Sequence, residues 1–285
     1  MLNFIKKRLK DDYGFMGPTH ALSAIAIALL LLALTPGFVY GFLKTSDLLI
    51  VASFIIVSAG FALFPDFDNT QSTAISTLGV LGKGISKLMR SFAVFIYLAV
   101  KSRKDDPKPN PHRGFWHTLV SAFFVGFIVL STTSLPFKIS LGILHKDVTL
   151  GFLFALLWIY IAIIMACTGL FAKEIKKLKK NFITHIGIHF VAILFTLAVL
   201  ILSPGTLGYS WLAFSAVLGY TVHILGDTLT IAGTPLLWPL KHKGKRWWTY
   251  RFLGVRAGGE IEKYIFIPVF ISIIILSLIK IIFIK

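Results

Sequence analysis

The sequence predicts an all-α fold: a polytopic membrane bundle of about seven transmembrane helices, plus an interfacial or re-entrant helix near residues 85–100. Three observations predict it. The 285 residues are 56% hydrophobic and only 14% charged, whereas soluble domains carry roughly a quarter charged residues. Mean hydropathy is +0.82. The apolar residues gather in runs near the roughly 17–25 residues that a helix needs to cross hydrocarbon. These runs use up most of the chain, so a single integral-membrane domain over 1–285 is expected.

The expected spans are 19–35, 47–64, 115–134, 149–171, 184–203, 210–231 and 264–284. His20 opens the first, and Pro65-Asp66-Phe67-Asp68 closes the second. The stretch 85–100 is short, and Lys83, Lys87 and Arg90 recur at helical spacing at its start, which suits a helix lying in the interface. His112 and His117 lead into the third span. The fourth contains Cys167, the single cysteine, so neither a disulfide framework nor a Cys-rich zinc site is available. His185 and His189 mark the start of the fifth, and His223 and Asp227 fall in the last turns of the sixth. A basic-aromatic loop from 241 precedes the last span. No cleavable signal peptide is expected, because the N-terminal segment is a short basic amphipathic piece without a convincing small-residue cleavage site.

Basic residues orient the bundle. With seven spans and a cytoplasmic N-terminus, segments 1–18, 65–114, 172–183 and 232–263 hold 4, 8, 5 and 7 Lys and Arg, 24 of the 29 in the chain. That is a strong positive-inside bias. Making 85–100 a full span would move Lys101, Arg103, Lys104 and Lys108 outside and invert every later loop. The net charge of +17 therefore speaks for topology and anionic headgroups, and no nucleic-acid partner is expected.

The same orientation, drawn from Lys and Arg alone, brings His20, Asp66, Asp68, His112, His117, His223 and Asp227 to one leaflet, the cytoplasmic one. Ionisable groups are costly in lipid and mark function there. Imidazole and carboxylate are the ligands of catalytic zinc and related divalent ions. His223 and Asp227 are i and i+4, on one face of a helix. Asp66 and Asp68 can share a centre if their turn is extended or irregular. The set predicts a divalent ion, zinc or manganese, held by these seven residues. Asp68 or Asp227 is the candidate catalytic base, and Arg113 the candidate substrate contact through its guanidinium. Plainer readings stand beside these: helix caps for the histidines and aspartates, a positive-inside charge for Arg113. His185 and His189 also fit an amphipathic helix start, while His145 and His242 are not preferred ligands. The Trp238 to Arg251 segment has the composition of an interfacial belt, and could instead line the way in for an anionic amphiphile.

The chain resembles the YdjM-like family of inner-membrane proteins described as metal-dependent hydrolases. The resemblance runs from about 17 to 240. It rests on Thr19-His20, Pro65-Asp66-Phe67-Asp68, His112-Arg113-Gly114 with His117-Thr118, and the block from Gly219-Tyr220 through His223, Asp227, Thr230, Gly233 and Pro235 to Trp238-Pro239. Trp116 and the long insertion between Asp68 and His112 depart from that pattern. The resemblance implies a multi-pass inner-membrane protein with hydrolase activity. The order of His and Asp residues also looks, distantly, like part of the ligand pattern of zinc-dependent phospholipase C, which implies phosphate esters. The expected function is a metal-dependent hydrolase at the cytoplasmic membrane face. It would act on a phosphate-ester or lipid-derived substrate through an activated water, with membrane lipids as its surroundings. The competing expectation is a non-enzymatic membrane protein, such as a metal-ion carrier or a stress-linked scaffold.

Overall fold

The computed structural model describes residues 16–43, 47–69, 72, 75, 78–108, 110, 112–142, 146–171, 182–203 and 209–283. Helix α1 spans Gly17–Leu34, with Pro18 in its first turn, where the missing N–H costs nothing. A short helix, α2, Pro36–Leu43, follows. Helix α3, Leu48–Phe61, starts at Asp47, whose side chain accepts the Leu49 N–H at 2.8 Å. A 3-10 turn, Pro65–Asp68, closes it. Helix α4 runs Gly79–Val100. A second 3-10 turn, Phe115–His117, leads into α5, Leu119–Thr133, capped by the Thr118 side chain. Strands β1, Lys138–Leu141, and β2, Lys146–Thr149, form an antiparallel hairpin. Helix α6, Leu150–Leu170, is capped by Thr149, and α7 spans Phe182–Leu202. Helix α8 spans Trp211–Thr228, and a π turn, Glu262–Phe266, continues into α9, Ile267–Phe283.

Every predicted span contains a helix, and the interfacial stretch begins earlier than expected, at Gly79. The hairpin corrects the purely helical expectation. It lies between α5 and α6, where Ile139 pairs with Val148 and the backbone groups of a tight connection satisfy one another. Helix α2 falls in what the span reading treats as a connection. Among the described residues, four helices are long and apolar enough to cross a membrane: Gly17–Leu34, Leu48–Asp68, Leu150–Leu170 and Glu262–Phe283. Helix α5 and the described apolar part of α7 are shorter. The N-terminal piece, the basic 172–181 segment and His145 lie outside the described residues, as does the side chain of His185.

Helix α3 is central, packed on α1, α6 and α8, while α5 packs against α8 and α6. Helix α9 flanks α1, and α7 flanks α6. Two glycines set the closest approaches. A Cβ on Gly60 would run into the Ala162 backbone of α6, and one on Gly219 would run into the Ser58 carbonyl of α3. Small residues let membrane helices approach backbone to backbone. The close approach at Gly219 presses the His223 face of α8 against the end of α3 that leads into Asp66. The outside is apolar: Phe123, Phe127, Leu194, Ile201, Leu276 and Ile282 are all exposed, as suits lipid-facing helices.

Candidate metal centre

The fold gathers all seven predicted ligands at one end of the bundle. His20 comes from the first turn of α1, His223 and Asp227 from the end of α8. The two 3-10 turns bring Asp66, Asp68 and His117, and the loop before the second brings His112. Three overlapping groups have ligand atoms within 4.8 Å of one another: His20, Asp66, His223; Asp66, His112, His117; and His117, His223, Asp227. Asp66 joins the first two, so one carboxylate could serve both.

Distances from the Asp227 carboxylate are 3.3 Å to His20 Nε2, 3.4 Å to His223 Nε2 and 3.6 Å to His117 Nε2. Asp66 Oδ1 stands 3.7 Å from His117 Nε2 and 3.8 Å from His223 Nε2. Two donor atoms about 2.0–2.1 Å from one tetrahedral zinc stand about 3.3–3.4 Å apart. The spacings around Asp227 match that separation closely, and the Asp66 spacings are slightly wider. Several of these atoms are fully buried and make no hydrogen bond among the described residues: both ring nitrogens of His117, His223 Nε2, both oxygens of Asp227 and Asp68 Oδ2. Buried polar atoms are normally satisfied. Of these, His117 Nε2, His223 Nε2 and an Asp227 oxygen face one another and suit a cation between them. The donor set fits a divalent ion: imidazole nitrogens and carboxylate oxygens suit zinc and manganese, and no thiolate intrudes.

Further contacts orient these groups. His223 Nδ1 lies 2.7 Å from the Ala62 carbonyl, so Nδ1 carries the proton and donates it, leaving the Nε2 lone pair facing the centre. Asp68 behaves differently from its expected role. It is absent from all three groups. Instead its Oδ1 accepts from His112 Nδ1 at 2.6 Å, and its Oδ2 lies 3.6 Å from His117 Nδ1. It holds two histidine rings from behind. Burial pushes the His112 imidazole down, but the hydrogen bond and charge of Asp68 outweigh that and raise its pKa above the ordinary value.

Arg113 sits with φ of 60°, a left-handed conformation that non-glycine residues seldom adopt. Its guanidinium donates to the Gly233 carbonyl at 2.8 Å and lies 3.4 Å from Asp227. It thus faces the cluster and balances part of the carboxylate charge. His112 and Arg113 also line a cavity of about 450 Å³, together with Lys108, Asn110, Tyr97 and Trp247. Asp66 is 28% exposed and is the most accessible carboxylate of the cluster.

Other predicted or weighed residues lie elsewhere. His189 Nδ1 pairs with the Tyr160 hydroxyl at 2.7 Å, between α7 and α6. His242 packs on Trp248 in a tight turn. Two carboxylates escaped the sequence reading. Glu262 is buried and accepts from Met16 N at 2.8 Å, Gly258 N at 2.6 Å and the Thr19 hydroxyl, tying α9 to the turn that bears His20. Asp105 accepts from Ser102, Arg246 and Trp247 backbone N–H groups, clasping two loops beside the cavity. The one sequence signal is for Asp105, a carboxylate in a strongly basic stretch.

Comparison with known proteins gives the chain's family. The family model described as YdjM inner membrane protein matches residues 15–283. The inner membrane protein YdjM of Escherichia coli (strain K12) is 42% identical over 57 residues, 19% of this chain and 26% of its own length. That of Shigella flexneri matches to the same extent. The chain therefore aligns with about a quarter of each curated relative. No solved structure matches. With the family model covering nearly the whole chain, from just before His20 to the end of α9, this protein belongs to the YdjM family of inner membrane proteins.

Proposed function

We propose that the protein is a multi-pass, metal-dependent hydrolase whose active site opens on the cytoplasmic face of the inner membrane and takes a phosphate-ester or lipid-derived substrate. The observation that carries this reading is the set of three interlocking His/Asp groups beside a cavity lined by Lys108 and Arg113. Helices α5, α7 and α8 complete the bundle as crossing segments, with the N-terminus cytoplasmic. The polar residues of α8 do not argue against this, because His223 and Asp227 are buried against other helices.

A divalent ion, zinc or manganese, would supply Lewis-acid polarisation of a phosphoryl oxygen and make water a nucleophile near neutral pH. His20, Asp66, His112, His117, His223 and Asp227 would hold it. Asp68 keeps His112 in the Nδ1–H tautomer, which leaves the Nε2 lone pair for the metal, as a carboxylate behind a ligating histidine does. Arg113 stays paired with Asp227 and presents its remaining N–H groups to the anionic substrate group. Tyr97 and Trp247 give the cavity an apolar wall for an ester's organic portion.

A carrier would need polar groups continuing across the bilayer. Away from the cluster, the buried faces of α1 and α3 are mainly apolar, with Ala24, Ala28, Leu29, Leu32, Phe54 and Val57. Their buried hydroxyls, Ser23, Ser53 and Ser58, are spent on carbonyls of their own helices, which favours hydrolysis over transport. The test is turnover by purified protein supplied with zinc or manganese, on phosphomonoester, phosphodiester and phospholipid substrates. Wild type should release product, and His117→Ala should not. A metal-loaded wild type inert across that whole panel would overturn the reading.

A further inference from the structure

Helix α4 carries a second feature, away from the cluster. Its faces differ in character. Gly82, Ser86, Met89, Ala93 and Tyr97 are buried against the protein. Leu81, Ile85, Leu88 and Phe95 are exposed and apolar. Between these faces run Lys83, Lys87 and Arg90, at i, i+4 and i+7, one stripe of a helix. The three cations line a cavity of about 300 Å³ together with Ile75, Ser86 and Ser91.

An independent observation concerns Ser86, which lines that cavity. The Ser86 hydroxyl is fully buried, yet makes no hydrogen bond among the described residues. An unsatisfied buried hydroxyl costs roughly 1–3 kcal/mol of desolvation. A ligand oxygen in the cavity would satisfy it. Three cations and a donor hydroxyl recognise phosphate, and the exposed apolar face along the same helix suits acyl chains.

We infer that the Lys83, Lys87, Arg90 and Ser86 cavity is a binding site for the phosphate of an anionic phospholipid, with the lipid's chains lying along Leu81, Ile85 and Leu88. This site goes beyond the hydrolytic reading and does not depend on it. It bears on the metal centre through packing, because α4 rests on both 3-10 turns that carry Asp66, Asp68 and His117. The Met89 carbonyl of α4 also accepts the Trp116 indole N–H at 2.7 Å, next to His117.

The experiment is native mass spectrometry of the full chain in mild detergent, titrated with phosphatidylglycerol, phosphatidylcholine or inorganic phosphate. Wild type should retain phosphatidylglycerol over phosphatidylcholine. Lys83→Gln/Lys87→Gln/Arg90→Gln should weaken that retention by about two orders of magnitude, since each basic residue at an anionic surface contributes roughly fivefold. Ser86→Ala should weaken it several-fold with no change of charge, which a diffuse positive surface does not predict. Should the triple variant aggregate, Lys87→Gln alone serves with Ser86→Ala. Equal retention of the two lipids overturns the inference, and so does wild-type retention in Ser86→Ala. Displacement of the lipid by modest inorganic phosphate overturns the assignment to lipid.

Discussion

Replacing Asp227 by Asn removes one negative charge from the middle of the cluster and leaves the side chain's size almost unchanged. Arg113 lies 3.4 Å away, and both groups are buried. At an effective dielectric of about 20, unit charges at that separation attract by about 5 kcal/mol. Removing one partner leaves the other charge buried and uncompensated, which costs about 3–5 kcal/mol. Metal-free Asp227→Asn should lose about that much stability. The Gly233 carbonyl still receives its hydrogen bond from Arg113, so the guanidinium stays in place and the charge is what is exposed. The assay is denaturant unfolding of chelator-treated protein in detergent, run as a cycle with Arg113→Met. The double variant should be more stable than the two single losses predict, by roughly 1–3 kcal/mol of coupling. Losses that add to within about 0.5 kcal/mol would refute the pairing. Arg113 would then be free of Asp227, and its place beside the cluster would need another explanation.

Three further outcomes rest on the packing. Gly219→Ala should destabilise by roughly 1–3 kcal/mol, as overpacking does. The new Cβ meets the Ser58 carbonyl and pushes His223 away from Asp66, so thermal unfolding and metal affinity should fall together. Glu262→Ala should cost at least about 2 kcal/mol, since three donors lose a charged acceptor; unchanged unfolding would contradict its tie to the His20 turn. Asp105 gives a pH signature. Burial pushes its carboxyl up, but backbone N–H donors from Ser102, Trp247 and Arg246 outweigh that and hold its pKa below the ordinary value. Its contribution is present above the ordinary carboxylate pKa of about 3.9 and is lost as pH falls through the lowered value. Trp247 fluorescence should hold steady from neutral pH to about pH 4 in wild type. In Asp105→Asn it should be altered already at neutral pH, and identical profiles would contradict the loop clasp.

Much of the site was legible because its signals are local. A histidine or aspartate at the end of an apolar run stands out by the cost of putting it there, and His223 with Asp227 share a helix face by spacing alone. The basic residues placed them on one side without any contact being known. What escaped depends on contacts between distant segments. Thr19 and Glu262 are 243 positions apart, and nothing near Glu262 announces its partner. Asp68 reads as a ligand in the Asp-x-Asp pair, yet the 3-10 turn aims it at His112 and His117 from behind, an orientation that only the fold sets. The β1–β2 hairpin was hidden because four-residue strands carry too little periodicity to tell from a loop.

The central claim is that His20, Asp66, His112, His117, His223 and Asp227 form a metal site with Asp68 behind two of its histidines, and metal content tests it most directly. Wild type and the His223→Ala/Asp227→Ala double variant would be purified in detergent, reconstituted with zinc or manganese, and assayed by inductively coupled plasma mass spectrometry. The account predicts near-stoichiometric metal in wild type and its loss in the variant, with both proteins monodisperse. Wild type that holds no metal after reconstitution would contradict it, and so would a variant that holds as much as wild type.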